Sequence, residues 1–199
     1  MWLNAWRGGG NASVKIFHMD KNLNQLLFER HSIRKYTGED ISPEATKQIL
    51  EAGLLAPSSK SSRPWQFVVV EDKDKLQALS ACKPFGSRPL AGASLAIAIC
   101  ADPEKSDVWI EDCAVAAAMM HLQAAALGVG SCWIQLRCRD NADNEPAQNT
   151  VKDILGIPDA MQVPIILSLG ISAEQRKPVD PEKLMWEKVH IGGWATGQE

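Results

Sequence analysis

The chain has 199 residues, 45% of them hydrophobic, and a formal net charge of −3. That length favours one domain, or one domain with extensions, and the composition supplies a sizeable core. The weak acidic balance creates no overall field toward nucleic acid or a membrane surface, so neither is expected as a partner.

Residues 1–20 contain Gly8-Gly9-Gly10 and no continuous apolar run of leader length, so they read as a flexible N-terminal arm and the location as cytoplasmic. Residues 21–199 then form a single domain. "NLNQLLFER" predicts a short helix with Leu23, Leu26 and Leu27 on one face. Ser42 is a good N-cap with Pro43 at the first helical position, opening a helix to about Leu55 that Pro57 stops. Trp65 to Glu71 is strand-like in its β-branched and aromatic content. A helix over "DKDKLQALSAC" and a buried strand over Ser94 to Ala101 follow. Residues 107–127 form the longest predicted helix, with Gly128 as its C-cap. "SCWIQL" and "VPIILSLGIS" are strands on either side of a short helix, "NTVKDILGI". The tail around "DPEKLMWEKVHIGGW" has no clear period. Interleaved strands and helices place the chain in the mixed α+β class. No apolar stretch spans a membrane: residues 113–136 come nearest, but Gly128, Gly130 and several polar residues interrupt them.

Between Cys113 and Leu127 the long helix is apolar almost all round and rich in Ala. Such a helix is buried on all sides, either in a central core or at an extensive subunit interface. The five cysteines (Cys82, Cys100, Cys113, Cys132, Cys138) show no CxxC spacing and read as reduced core thiols. The four histidines are scattered and suggest no metal site.

"RHSIRKY" places Arg30, His31, Ser32, Arg34 and Lys35 together. It is either a solvated basic turn or an anion clamp. Arg offers a planar donor fork to a phosphate, and a hydroxyl and backbone N–H groups can complete the shell. In an extended segment Arg30, Ser32 and Arg34 project to one face. Ser58 and Ser59 can be turn residues after Pro57, and Trp133 can face a ligand or the core. Asp112 and His121, on the long helix, suggest capping or interface hydrogen bonds rather than catalysis. Gly128-Val129-Gly130 follows a helix and precedes a strand, the reverse of a dinucleotide fingerprint.

Four segments in this order, "RHSIRKY", "LLAPSSKSSRPWQFVVV", "DCAVAAAMMHLQAAALGVGSCWIQL" and "EKLMWEKVH", resemble the nitroreductase family over roughly residues 22–194. The resemblance implies an α+β nitroreductase-like fold: a central, mostly antiparallel sheet flanked by helices, in an intertwined homodimer with FMN at the interface. Arg30, His31 and Ser32 match the phosphate-binding segment, and Arg34 the cation near flavin N1 and O2. Pro57, Ser58, Ser59 and Ser61 match a loop that reaches the flavin from the other subunit. Ser61 stands where members often carry Asn. Trp133, Ile134, Gln135 and Leu136 match positions beside the isoalloxazine, with Gln135 and Leu136 standing where many relatives have an acid and a glycine. Lys183 matches a basic residue at the phosphate. The implied activity is hydride transfer from NADH or NADPH through FMN to nitroaromatic, quinone or similar planar acceptors, in a ping-pong cycle with no certain catalytic side chain. The alternatives are a narrower biosynthetic or dehalogenating reductase, or a flavin-binding protein without turnover.

Overall fold

Four strands rich in valine, isoleucine, leucine and alanine organise the molecule: β1 (Trp65–Val70), β2 (Leu95–Ala101), β3 (Gly130–Gln135) and β4 (Gln162–Gly170). In this computed structural model, which describes residues 22–194, they form one sheet in the order β1-β2-β4-β3. Every neighbouring pair of strands is antiparallel. The proposed N-terminal arm, residues 1–20, lies outside the described residues.

The central strand β2 is buried along its whole length, and its alternation feeds two cores. Leu95, Ile97 and Ile99 join the first core, with Cys113, Ala116, Ala117 and Met120. Ala96, Ala98 and Cys100 join the second, with Leu76, Leu79 and Val151. The helices therefore divide between the faces. α2 (Pro43–Leu54) and α4 (Trp109–Ala126) cover one; α3 (Lys73–Ser80) and α5 (Ala147–Leu155) cover the other. Each fully buried aliphatic side chain here contributes about 1.5–3 kcal/mol. Trp65 is core, as its sequence context suggests, and Phe67 packs against it. Cys82, Cys100, Cys113 and Cys132 are buried free thiols, and Cys138 is an exposed one.

The helix ends follow local chemistry. Ser42 accepts from the Ala45 N–H and caps α2, with Pro43 in the first turn. Asp72 accepts from the Lys75 N–H and caps α3. α4 closes with paired bonds from Val129 N–H to the Ala124 carbonyl (2.8 Å) and from Gly128 N–H to the Ala125 carbonyl (3.1 Å). This closure needs the left-handed φ of +72° that Gly128 supplies. α4 begins two residues later than predicted, because Ser106 is bonded to Asp112 and holds the entry as a turn. In α1 (Leu23–Glu29) only Leu26 is buried; Leu23 and Leu27 remain exposed. Seven residues make two turns, and this surface helix docks one side chain rather than a whole stripe. Among the described residues no helix is long and apolar enough to cross a membrane.

One close approach fixes the basic segment to the sheet. A Cβ built on Gly170 would lie 2.7 Å from Tyr36 Cδ1 and 2.8 Å from Cγ, so only glycine fits beneath the ring. The Tyr36 hydroxyl lies 2.8 Å from Ser168 Oγ and 2.9 Å from the Ile33 carbonyl. Burial pushes the phenol pKa well up. We expect Gly170→Ala to destabilise the fold by about 1–3 kcal/mol, since a rigid ring cannot yield as a flexible side chain would. Urea unfolding monitored by fluorescence measures this; an unchanged midpoint would mean that the ring moves freely.

Candidate functional site

Arg30 is the C-cap of α1, and the chain leaves it in extended conformation. The following residues form no regular strand, yet they are fastened closely. Ser32 bridges Ser131 in parallel, and Ile33 N–H donates to the Ser131 carbonyl at 2.9 Å. Thr37 N–H donates to the Ile171 carbonyl, and Ala173 N–H to that of Lys35. Glu174 Oε1 accepts from both the Arg34 and Lys35 amides at 2.8 Å. Its Oε2 accepts from Arg176 Nη2 at 2.6 Å. The Arg34 amide bond, more than the other groups around it, holds the Glu174 carboxyl below the usual range. One anion therefore holds the backbone amides of Arg34 and Lys35.

Arg30 turns inward. Its Nη1 lies 2.8 Å from His121 Nε2, on α4. Guanidinium has no acceptor, so Nε2 must accept and the imidazole proton sits on Nδ1. That Nδ1–H donates to Ser131 Oγ. Burial, and secondarily the Arg30 charge, push the imidazole down to about 4, so it is neutral near pH 7. Arg34 behaves differently. It stays exposed, with Nη1 3.4 Å from the Ser32 carbonyl. The expectation that Arg30, Ser32 and Arg34 share one face thus fails at Arg30, because a long side chain follows its acceptor rather than the strand alternation. Arg30 lines a cleft of about 220 Å³ with His31, Ile33, Ser131, Glu174 and Arg176, whose wall does not include Ser32 or Arg34. His31 Nε2–H donates to the Lys177 carbonyl at 2.8 Å, which ties the C-terminal segment to this region.

The loop after α2 carries backbone strain. Lys60, Ser61 and Arg63 have φ of 53°, 53° and 46°. Left-handed backbone costs a non-glycine residue roughly 1–2 kcal/mol and gathers where surrounding structure imposes it. Asp112, buried in the first turn of α4, anchors the start of this loop. Its Oδ1 accepts from Ser59 N–H at 2.8 Å and its Oδ2 from Ser106 Oγ–H at 2.7 Å. Ser58 Oγ accepts from Arg63 N–H. Pro57 is exposed, and Ser62 Oγ is buried without a protein partner. We expect Asp112→Ala to release the loop and to cost roughly 1–3 kcal/mol, the penalty for leaving buried donors unpaired. Limited proteolysis should then cut at residues 58–63; protection equal to the parent would refute this anchoring role.

On β3 the predicted residues separate by face. Trp133 is half-buried against the first core, and its Nε1–H donates to Gln135 Oε1 at 2.9 Å. Ile134 and Leu136 are fully buried in the second core, on the face of the strand opposite Trp133. Lys83, which the sequence did not single out, is buried and donates from Nζ to the Gln135 carbonyl at 2.6 Å. Burial lowers its pKa. Lys183 sits exposed in a 3-10 turn, Pro181–Lys183.

The family model described as the Nitroreductase family matches residues 27–171. The chain belongs to the nitroreductase family. A protein of Archaeoglobus fulgidus described as an NADH dehydrogenase/NAD(P)H nitroreductase is 36% identical over 175 residues, which cover 85% of this chain and 97% of that one. An FMN-dependent nitroreductase from Clostridium difficile superimposes with a TM-score of 0.83 at 46% identity, covering 85% of this chain and 98% of that chain. A nitroreductase from Desulfovibrio desulfuricans in complex with FMN gives 0.70 at 25% identity, covering 88% of this chain and 99% of that one.

The matched span includes the basic segment, the strained loop, α4 and β3, but not Lys183. The residues that sequence reasoning missed are the supports: Glu174, Arg176, Lys83 and the inward role of His121. His121, like Asp112, could be glimpsed, because both are polar residues on a largely apolar helix.

Proposed function

We propose that this nitroreductase is a homodimeric, FMN-dependent NAD(P)H oxidoreductase that passes reducing equivalents to nitroaromatic, quinone or similar planar acceptors. The residues present suit the cofactor. Arg30 offers an oriented guanidinium to a phosphomonoester, with the Ser32 hydroxyl close in the chain. Arg34 offers a second, exposed cation for the polar end of the flavin. When bound, FMN supplies the hydride chemistry; the protein supplies position and charge. Donor and acceptor use one open face in turn, the ping-pong order.

The observation that carries the reading is the spacing along α4. Asp112 holds the strained loop, and His121 holds Arg30. Nine residues of α-helix are about 14 Å of rise and a half-turn of azimuth. One copy's loop and its own phosphate cation therefore sit on opposite sides of a helix. Pairing with a second copy brings the loop of one subunit to the cations of the other. Exposed apolar surface supports the pairing: Val115 on α4, and Met185, Trp186, Val189, Ile191 and Trp194 on the C-terminal segment. Large exposed apolar side chains gathered in one segment suit a subunit interface, and obligate interfaces bury roughly 2,000–5,000 Å².

Two measurements on the purified protein test this. Chromatography of heat-released cofactor should give FMN, and light scattering should give a dimer. FAD as the dominant flavin, or a stable monomer with tightly bound FMN, would refute the corresponding half.

A further inference from the structure

We infer that His121 is a positioning residue for the flavin phosphate: its neutral imidazole, braced by Ser131, accepts from Arg30 and aims the guanidinium. The inference rests on the assignment of Arg30 to that phosphate.

Three features of the geometry carry it. First, the chain of bonds has one direction. Arg30 Nη1 can only donate, so Nε2 of His121 accepts at 2.8 Å, and Nδ1–H is left for Ser131 Oγ. Neither alternative tautomer nor a protonated ring satisfies both neighbours. Second, the brace is rigid. Ser131 lies on β3, its carbonyl accepts from Ile33 N–H, and it bridges Ser32. The same strand residue thus fixes both the imidazole and the backbone two and three residues beyond Arg30. Third, the support is buried while the load is not. His121 and Ser131 are 7% and 2% exposed, whereas Arg30 remains half-exposed at the cleft.

An unsupported arginine samples many rotamers, and binding must then meet the entropy cost of fixing them. A buried acceptor that occupies one N–H of the fork meets that cost during folding. The remaining N–H groups then face the ligand already oriented. An aspartate or glutamate at position 121 would hold Arg30 more strongly but would cancel its charge before the phosphate arrived. A neutral acceptor orients the cation and leaves it net positive. That distinction explains why an imidazole occupies this place on an apolar helix.

The experiment compares FMN with riboflavin, which lacks the phosphate, by flavin-fluorescence titration of protein stripped of cofactor. Arg30→Ala, His121→Ala, His121→Phe, His121→Gln and the Arg30→Ala/His121→Ala double variant are each measured. His121→Phe keeps the ring volume without the acceptor, and so serves if His121→Ala folds poorly. His121→Gln retains an acceptor at similar reach. The expected result is a loss of the FMN-over-riboflavin preference by about tenfold, or about 1.4 kcal/mol, in His121→Ala and His121→Phe. Riboflavin affinity should stay near the parent value, and His121→Gln should recover most of the preference. In the Arg30→Ala background, removing His121 should change the preference little.

Equal weakening of FMN and riboflavin would overturn the inference, because it would mean that His121 only packs. Full additivity in the double variant would also overturn it, because the effect would not pass through Arg30. If Arg30→Ala itself leaves the preference unchanged, the phosphate assignment fails and the inference falls with it. If Arg30→Ala abolishes the preference while the His121 variants keep it, the assignment stands and the inference alone is wrong.

Discussion

Arg30→Ala should weaken FMN binding by about 2–4 kcal/mol, the loss typical of removing one partner from a desolvated charge pair. Arg34→Ala should instead leave FMN bound and lower its two-electron potential. The difference follows from where charge changes. Phosphate keeps its charge on reduction, whereas reduction leaves negative charge near flavin N1 and O2, the end that the family resemblance assigns to Arg34. A cation there favours the reduced state over the oxidised one. A differential of roughly 1–3 kcal/mol corresponds to about 20–65 mV for a two-electron couple. The exposure of Arg34 favours the lower part of that range unless a second subunit covers it, since open solvent screens the charge. Redox titration of both variants at saturating FMN distinguishes the roles. A shifted potential in Arg30→Ala with none in Arg34→Ala would reverse the assignment.

Acid should cost this protein about 3 kcal/mol of stability through His121 alone. The folded imidazole, at about 4, lies below the ordinary value of 6.5. Between those values the unfolded chain carries the proton and the folded chain does not. Stability is therefore fully present above about pH 6.5, falls as pH drops toward 4, and levels off below it. Each pKa unit of separation is worth about 1.4 kcal/mol. Glu174 acts in the same direction but lower. Its carboxyl is held below the usual range, so its contribution is lost only as pH falls through that depressed value. Comparing parent with His121→Gln cancels Glu174 and the other carboxylates. Urea unfolding at pH 7 and pH 4.5 should show the parent losing more than the variant by most of that 3 kcal/mol. Parallel losses would mean that the folded imidazole titrates normally.

The difference between Glu174 and Ser42 shows what the sequence could reveal. Ser42, Pro43 and Gly128 act on residues three to five positions away, so their spacing announces α2 and the end of α4. The buried strand β2 was equally legible, because burial on both faces leaves a continuous apolar run. The four segments that resemble nitroreductases located the basic segment and the strained loop. The contacts that complete the site were not legible. Glu174 meets Arg34 across 140 positions and His121 meets Arg30 across 91. No local pattern encodes such pairs. The inward turn of Arg30 was missed for the same reason: alternation predicts where a Cβ points, not which distant acceptor draws a long side chain. Ile134 and Leu136 were placed beside the flavin by family position; the structure buries both side chains in the second core, which a family position does not reveal.

The stitching of residues 30–37 sets an order of events during synthesis. This early segment is fastened by Ser131, Ser168, Ile171, Glu174 and Lys177, all from the later part of the chain. A ribosome that has exposed only the first hundred residues presents Arg30 with neither its acceptor nor its backbone partners. The basic segment therefore takes its final form only once the chain up to Lys177 is in place, late in synthesis rather than early.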